Sequence, residues 1–231
     1  MTVLPGLTTT EKERIPRFVS DLRSSTVRAI ALFPTVLTRD ERYHLYGELS
    51  RIDGLQIPHV HLRTDFDDDE IRYVIEQFNT ELFNIHPDAS THPFGPVPAA
   101  VASRVFVENV DVAATDEEIG RLGGICPDYS HLENARLQDR TDYVSTTESQ
   151  LRRYPIGCCH VSAIRPGDRN PYNGGFDHHN FRALSDLDYM ERYAWALPGR
   201  WVSLELENRL AEQLEAAAYL IELLGRASTA R

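Results

Sequence analysis

Short apolar runs alternate with stretches of 3.6-residue periodicity along the chain, and this alternation restricts the fold more than any other feature, because it is the pattern of parallel strand–helix units. Runs that read as strands lie at 3–7, 27–33, 56–62, 82–86, 104–109, 124–128, 156–164 and 201–206. Between them, Ile15, Phe18, Val19 and Leu22 fall at helical spacing within 11–23. A second helix is expected over 40–52, and a third over 69–78, where Ile71, Val74, Ile75 and Phe78 share one stripe. Asp67, Asp68 and Asp69 at its start suit the positive end of the helix dipole. The last helix carries Leu210, Leu214, Ala217, Ala218, Ile221 and Leu224 on one face, and Gly225 is expected to end it.

Eight strands, most followed by a helix or a long connection, count to a (β/α)8 TIM barrel, an α/β fold in which all 231 residues form one domain, 1–231. The length is slightly short of the roughly 250 residues usual for that fold. Two connections depart from the pattern. Residues 87–103 contain Pro87, Pro93, Pro96 and Pro98, so the crossover after the fourth strand reads as a loop with at most a short helix. Residues 165–181, with Pro166, Gly167, Asn173, Gly174 and Gly175, read as a long loop after the seventh strand. Long loops at the C-terminal ends of barrel strands are where active sites are built.

Composition narrows the function. The 24 Lys and Arg stand against 35 Asp and Glu, a net charge of −11, which opposes broad nucleic-acid binding. No apolar run reaches the roughly 18 residues of a membrane span, and the polar first residues do not read as a secretory signal, so a cytoplasmic protein is expected. The cysteines, Cys126, Cys158 and Cys159, are odd in number and two are adjacent, which suits small buried residues rather than a disulfide framework. A small molecule is the expected substrate, with homo-oligomers allowed.

The strand ends collect metal-ligand residue types. His59 and His61 share one face of the third strand, and the fourth ends at Asn84, Ile85 and His86. The fifth is an apolar run closed by Glu108 and Asn109. The sixth leads to Cys126, Asp128 and His131, the seventh to His160, the following loop to Asp177, His178 and His179, and the eighth to Glu205 and Glu207. Glu108 and His160 each close an apolar strand, where a buried ionised group needs a compensating charge. A divalent cation is the simplest. Glu108, Asp128, His160 and Glu205 make a donor set suited to Mn, Co, Mg or Zn, with one ion expected.

On these residues the chain resembles the xylose-isomerase-like TIM barrel superfamily, which contains sugar isomerases and epimerases together with endonuclease IV. Glu at the end of the fifth strand, Asp of the sixth, His of the seventh and Glu of the eighth form its shared metal core, matching Glu108, Asp128, His160 and Glu205. The more specific segments are GICPDYSH at 124–131 and SLELEN at 203–208. Ala31 to Phe33, Ile57 to His59 and Phe83 to Pro87 resemble strands on the endonuclease IV side. By that comparison His86, His131, Asp177 and His179 would hold additional metals, up to three ions in all. Where that branch has a histidine just after the third strand, this chain reads Asp65, Phe66, Asp67.

The first expectation is therefore a metal-dependent isomerase or epimerase of a small sugar or sugar phosphate, with Glu108 and Glu205 as the catalytic proton carriers. A cation would stabilise the enediolate that such a reaction forms. His61, Arg63, His131 and Arg165 would bind substrate hydroxyls or phosphate. The alternative is an endonuclease IV-like phosphodiesterase or other hydrolase, supported by the histidines beyond the need of one metal and opposed by the acidic charge. A non-catalytic barrel is the third reading. Glu207 is the reserve for Glu205, since the strand register decides between them. Tyr129 could line the pocket or pack, Trp195 is expected to pack with Leu187, Met190 and Ala194, and Cys126 is expected to be structural.

Overall fold

Strand formation follows the apolar runs, with ends set where proline, glycine or a charged residue interrupts them. The computed structural model describes residues 1–95 and 97–229. The first run divides at Pro5 into β1 (Thr2–Leu4) and β2 (Gly6–Thr8), because proline has no N–H for a ladder. Then come α1 (Ile15–Ser24), β3 (Ala29–Phe33), α2 (Arg39–Leu49), β4 (Gln56–His61), α3 (Asp68–Phe78), β5 (Leu82–Ile85) and β6 (Val105–Glu108). α4 (Asp116–Gly120), β7 (Gly124–Cys126), α5 (Tyr129–Leu137), α6 (Thr141–Arg153) and β8 (Cys158–Val161) continue the alternation. β9 (Ala163–Ile164), β10 (Asp177–His178), β11 (Trp201–Leu204) and α7 (Leu210–Thr229) complete it.

The result is a mixed α/β architecture. A six-stranded parallel sheet runs in the order β2-β3-β4-β5-β6-β7, and a three-stranded parallel sheet runs β1-β11-β8. The first run thus pairs on both sides, with Val3 beside Val202 and Leu7 beside Leu32. Two isolated parallel bridges, Ile125 to Ile156 and Asp128 to His160, tie β7 to β8. Where the first run changes partner, space is short. A Cβ on Gly6 would lie 1.8 Å from the Leu204 carbonyl oxygen. There α7 supplies what a flanking strand would: Gly6 N donates to Gln213 Oε1 at 2.7 Å, and Gln213 Nε2 donates to the Gly6 carbonyl at 3.0 Å.

Both sheet faces are buried, as parallel sheets require. Leu7, Ile30, Leu32, Ile57, Val60, Phe83 and Val105 pack under Phe18 and Leu22 of α1, Leu45 and Leu49 of α2, and Val74 and Phe78 of α3. Val3, Ile125, Val161, Val202 and Leu204 pack under α5, α6 and α7 through Leu132, Val144, Leu220 and Leu223. Each such buried aliphatic side chain contributes about 1.5–3 kcal/mol relative to exposure. On the opposite strand face, Leu4, Ala31, Phe33 and Trp201 form one cluster and Phe106, Cys126 and Cys158 another.

Several expected bounds move. The helix foreseen over 11–23 begins as a 3-10 turn, Lys12–Arg14, and becomes α1 at Ile15, with Pro16 in the first turn where its missing N–H is harmless. Gly225 does not end the last helix. It lies inside α7, which runs on to Thr229, and it has no positive φ. The run 156–164 is interrupted at Ser162, and the loop after it returns as β10, pairing antiparallel with β9. The proline-rich crossover is a loop up to the 3-10 turn Ala102–Arg104, and Pro96 lies outside the described residues. The stripe of Leu187 and Met190 is carried by a 3-10 helix, Leu184–Tyr193. Trp195 packs beyond it with Arg152 4.2 Å over its ring. Tyr129 is fully buried and its hydroxyl donates to the Ala196 carbonyl, so it packs rather than lining a pocket. Among the described residues, no helix is long and apolar enough to cross a membrane.

Candidate metal centre

The parallel strands all end on one side, and their last residues meet there. Glu108 is the final residue of β6, His160 lies in β8, Asp128 follows β7 and Glu205 follows β11. His160 Nδ1 stands 3.4 Å from Glu108 Oε1, 3.3 Å from Glu205 Oε2 and 3.8 Å from Asp128 Oδ2. Donor atoms of Glu108, Asp128 and His160 lie within 4.8 Å of one another. These four, foreseen as one donor set, are brought together. The register that the sequence left open is settled by burial: Glu205 is 6% exposed and faces His160, whereas Glu207 turns to the Thr10 hydroxyl.

Neighbouring side chains hold Asp128 and Glu108 in place. Asn109 Nδ2 donates to the Asp128 carbonyl at 3.0 Å while its Oδ1 accepts from Asp128 N at 2.9 Å, continuing the β6–β7 pairing past the last regular residue. Asp128 also accepts from His131 N at 2.8 Å and so starts α5. Asn84 Nδ2 donates to Glu108 Oε2 at 2.6 Å, and Asn84 Oδ1 is held at 2.9 Å by His59 Nε2. His59, whose Nδ1 meets Ser203 Oγ at 2.8 Å, is a satisfied interior histidine. The roles of Asn84 and Asn109 escape sequence reading, which sees only that they stand at strand ends.

A second donor group adjoins the first. His61 Nε2 lies 3.2 Å from Glu108 Oε2 and 3.0 Å from His86 Nε2. Donor atoms of His61, His86 and Glu108 come within 4.8 Å of one another, so Glu108 belongs to both groups. His61, expected on the substrate side, lines the open cavity and also stands among the donors, because the last residue of β4 points into the same space as Glu108. Asp65, in the following loop, instead pairs with Arg42 at 3.0 Å. The third pair is His131 Nδ1 and Asp177 Oδ2 at 3.1 Å, which β10 brings back toward α5. His179 Nε2 is 3.9 Å from Glu205 Oε1.

The electrostatics are those of charges awaiting compensation. Burial raises the Glu108 carboxyl, but the pull of His160 and His61 outweighs it and holds the group well below the usual range. Burial, aided by Glu108 and Glu205, pushes Asp128 up despite His131. His160 rises well above its ordinary value, since the attraction of Glu108 and Glu205 overcomes its burial. Burial, then His61, drives His86 down to about 4. The fit to a cation rests on His160: both its ring nitrogens are buried without a hydrogen-bond partner, as is His61 Nδ1. Three carboxylates around an unsatisfied imidazole make a donor set that a divalent ion would complete.

His61, His86, Glu108, His131, Asp177, His179 and Glu205 line a cavity of about 820 Å³, and Asp128 and His160 lie behind that wall. Arg165 lines it too, whereas Arg63, 3.6 Å from Asp65, lies in an adjoining depression of about 440 Å³ beside His61 and His86. The three cysteines are all buried and unbridged, as expected. Burial raises the Cys126 and Cys159 thiols. Cys126 also comes within 4.8 Å of donor atoms of His59 and His160. No protein-family model matches the chain, and no curated protein matches it either.

Proposed function

We propose that the chain is a metal-dependent hydrolase of a small phosphate ester, on a closed (β/α)8 barrel with its site at the C-terminal ends of the strands. The barrel reading is supported by the two-sided pairing of the first run and by the bridges between β7 and β8, which join the two parallel sheets at both of their edges. The function reading is carried by one observation: Glu108 is shared between His61 with His86 and Asp128 with His160. A carboxylate common to two donor groups is the arrangement that holds two cations side by side.

His61, His86 and Glu108 would hold one ion, and Glu108, Asp128, His160 and Glu205 a second. His131, Asp177 and His179 are donors for a third. Divalent cations held there would supply positive charge and would acidify bound water. The protein's own groups set the stage for this. Glu108 and Glu205 are held as carboxylates, so they serve as ligands and proton acceptors rather than as acids. His131, raised to about 10 by Asp128 and Asp177 against its burial, stays protonated unless a third ion takes the proton's place. In the overall reaction a water oxygen bonds to phosphorus, the ester P–O bond breaks, and the departing oxygen takes a proton. The net charge of −11 favours a small substrate over a nucleic acid.

A metal-dependent isomerase or epimerase is the second reading. It is favoured by the approach of Glu108 and Glu205 to the same imidazole nitrogen, a geometry in which two carboxylates could pass a proton. Metal analysis of the purified protein, with assays on p-nitrophenyl phosphate and bis(p-nitrophenyl) phosphate, separates the two. Two or three equivalents and ester turnover support the hydrolase. One equivalent, with solvent exchange of a hydroxycarbonyl α-proton and no ester turnover, would replace it by the isomerase.

A further inference from the structure

The loop from β9 to β10 brings into the cavity an arginine with little to hold its charge. Arg165 is only 9% exposed. Its contact with an acid is Nη1 to Asp168 Oδ2 at 3.4 Å, and its Nε is buried without a hydrogen-bond partner. The acids around it are engaged elsewhere. Asp168 Oδ2 lies closer to Arg182, at 2.8 Å. Asp177 faces His131 at 3.1 Å and accepts from Asn173 Nδ2 at 3.2 Å. Asp186 accepts from the backbone N–H groups of Arg182 and Ala183. Burial and the like charge of Arg182 both work against the Arg165 cation. Guanidinium does not shed its proton under such pressure as lysine does, so the charge stays and the site wants an anion.

Its position selects which anion. Arg165 shares the cavity wall with Glu108, His131, Asp177 and Glu205. A planar fork of N–H donors matches two oxygens of one phosphoryl group. We propose that Arg165 binds the anionic oxygens of the substrate's phosphate, so that the substrate is an ester retaining free phosphate oxygens, a monoester or diester and not a neutral triester. The assignment rests on the phosphate-ester reading of the same site and adds to it the residue that recognises the charge.

The test uses the metal-loaded protein with inorganic phosphate as probe, comparing wild type, Arg165→Met and Arg165→Lys by calorimetry and thermal unfolding. Losing a charge-assisted, two-pronged contact should weaken phosphate binding roughly ten- to a hundredfold in Arg165→Met. Arg165→Lys, which restores the charge but not the fork, should recover part of it. Without phosphate, Arg165→Met should unfold at the wild-type temperature or above, because a poorly paired buried charge has been replaced by an apolar chain. Unchanged phosphate affinity in both variants, or a marked loss of phosphate-free stability in Arg165→Met, would overturn the proposal in favour of a structural role. Ester turnover is read separately. Turnover with the same KM in wild type and Arg165→Met would leave the hydrolase standing and remove Arg165 from it. Arg165-dependent phosphate binding without turnover of any ester would do the reverse.

Discussion

Glu108 is the side chain on which the site turns, since two donor groups share it. Glu108→Gln keeps shape but removes the charge common to both, so bound metal should fall by at least one equivalent, by elemental analysis, and turnover by more than about a hundredfold. Far-UV circular dichroism should not change, because glutamine has the shape of the carboxylate it replaces and Glu108 is proposed as a ligand, not a packing element. Much of this was legible at the residue scale: a carboxylate closing the apolar run Val105, Phe106, Val107 announces a charge that must be compensated. That His61 would be a donor was not legible. Its place depends on how far β4 runs relative to β5 and β6, and pairing of His61 with Asn84 is a fact of register, not of local pattern.

At the scale of elements, α2 and α3 are joined by a buried ion pair that periodicity does not reveal. Arg42 is fully buried, donating to Glu70 Oε1 at 2.6 Å and Oε2 at 2.7 Å, with Tyr46 adding a bond to Glu70 at 2.9 Å and the Phe66 ring 4.4 Å below the guanidinium. Arg42→Ala strands Glu70 and should cost about 3–5 kcal/mol in urea unfolding, whereas Arg42→Met with Glu70→Met should recover most of it. The start of α2 is capped by Thr38 and Glu41 in reciprocal bonds. Thr38→Ala should cost about 1 kcal/mol at neutral pH. Lys12, then the Thr38 backbone and hydroxyl, holds Glu41 down to about 2 from 4.5. The folded value lies below the unfolded one, so this support is complete above pH 4.5 and fades as pH falls toward 2. The cost of Thr38→Ala should therefore shrink across that window, as pH-dependent denaturation would show. Gly225, expected as a stop signal, sits mid-helix, and a Cβ added there would meet nothing within 4 Å. Gly225→Ala should raise stability by about 0.5–1 kcal/mol in thermal melts, and a loss there would mean that the helix ends early after all.

For the molecule as a whole, the candidate metal site bears on stability as well as on the proposed catalysis. Glu108, Asp128, Asp177 and Glu205 are buried together in a chain that is already strongly acidic. Cations that bind the folded chain better than the unfolded one add their binding free energy to folding. Chelation should therefore lower the melting temperature by at least about 5 °C, reversibly on returning Mn, Co or Zn. An unchanged melt would argue that these side chains hold no metal. What the sequence determined by itself was the alternation of strands and helices and the chemical character of the strand ends, because periodicity and burial are local properties of the chain. Only the tertiary structure decided that Glu205 and not Glu207 faces His160, that Glu108 serves two donor groups, and that Arg165 lacks an adequate partner. Those facts depend on strand register and on side chains far apart in sequence, and no pattern within one segment encodes them.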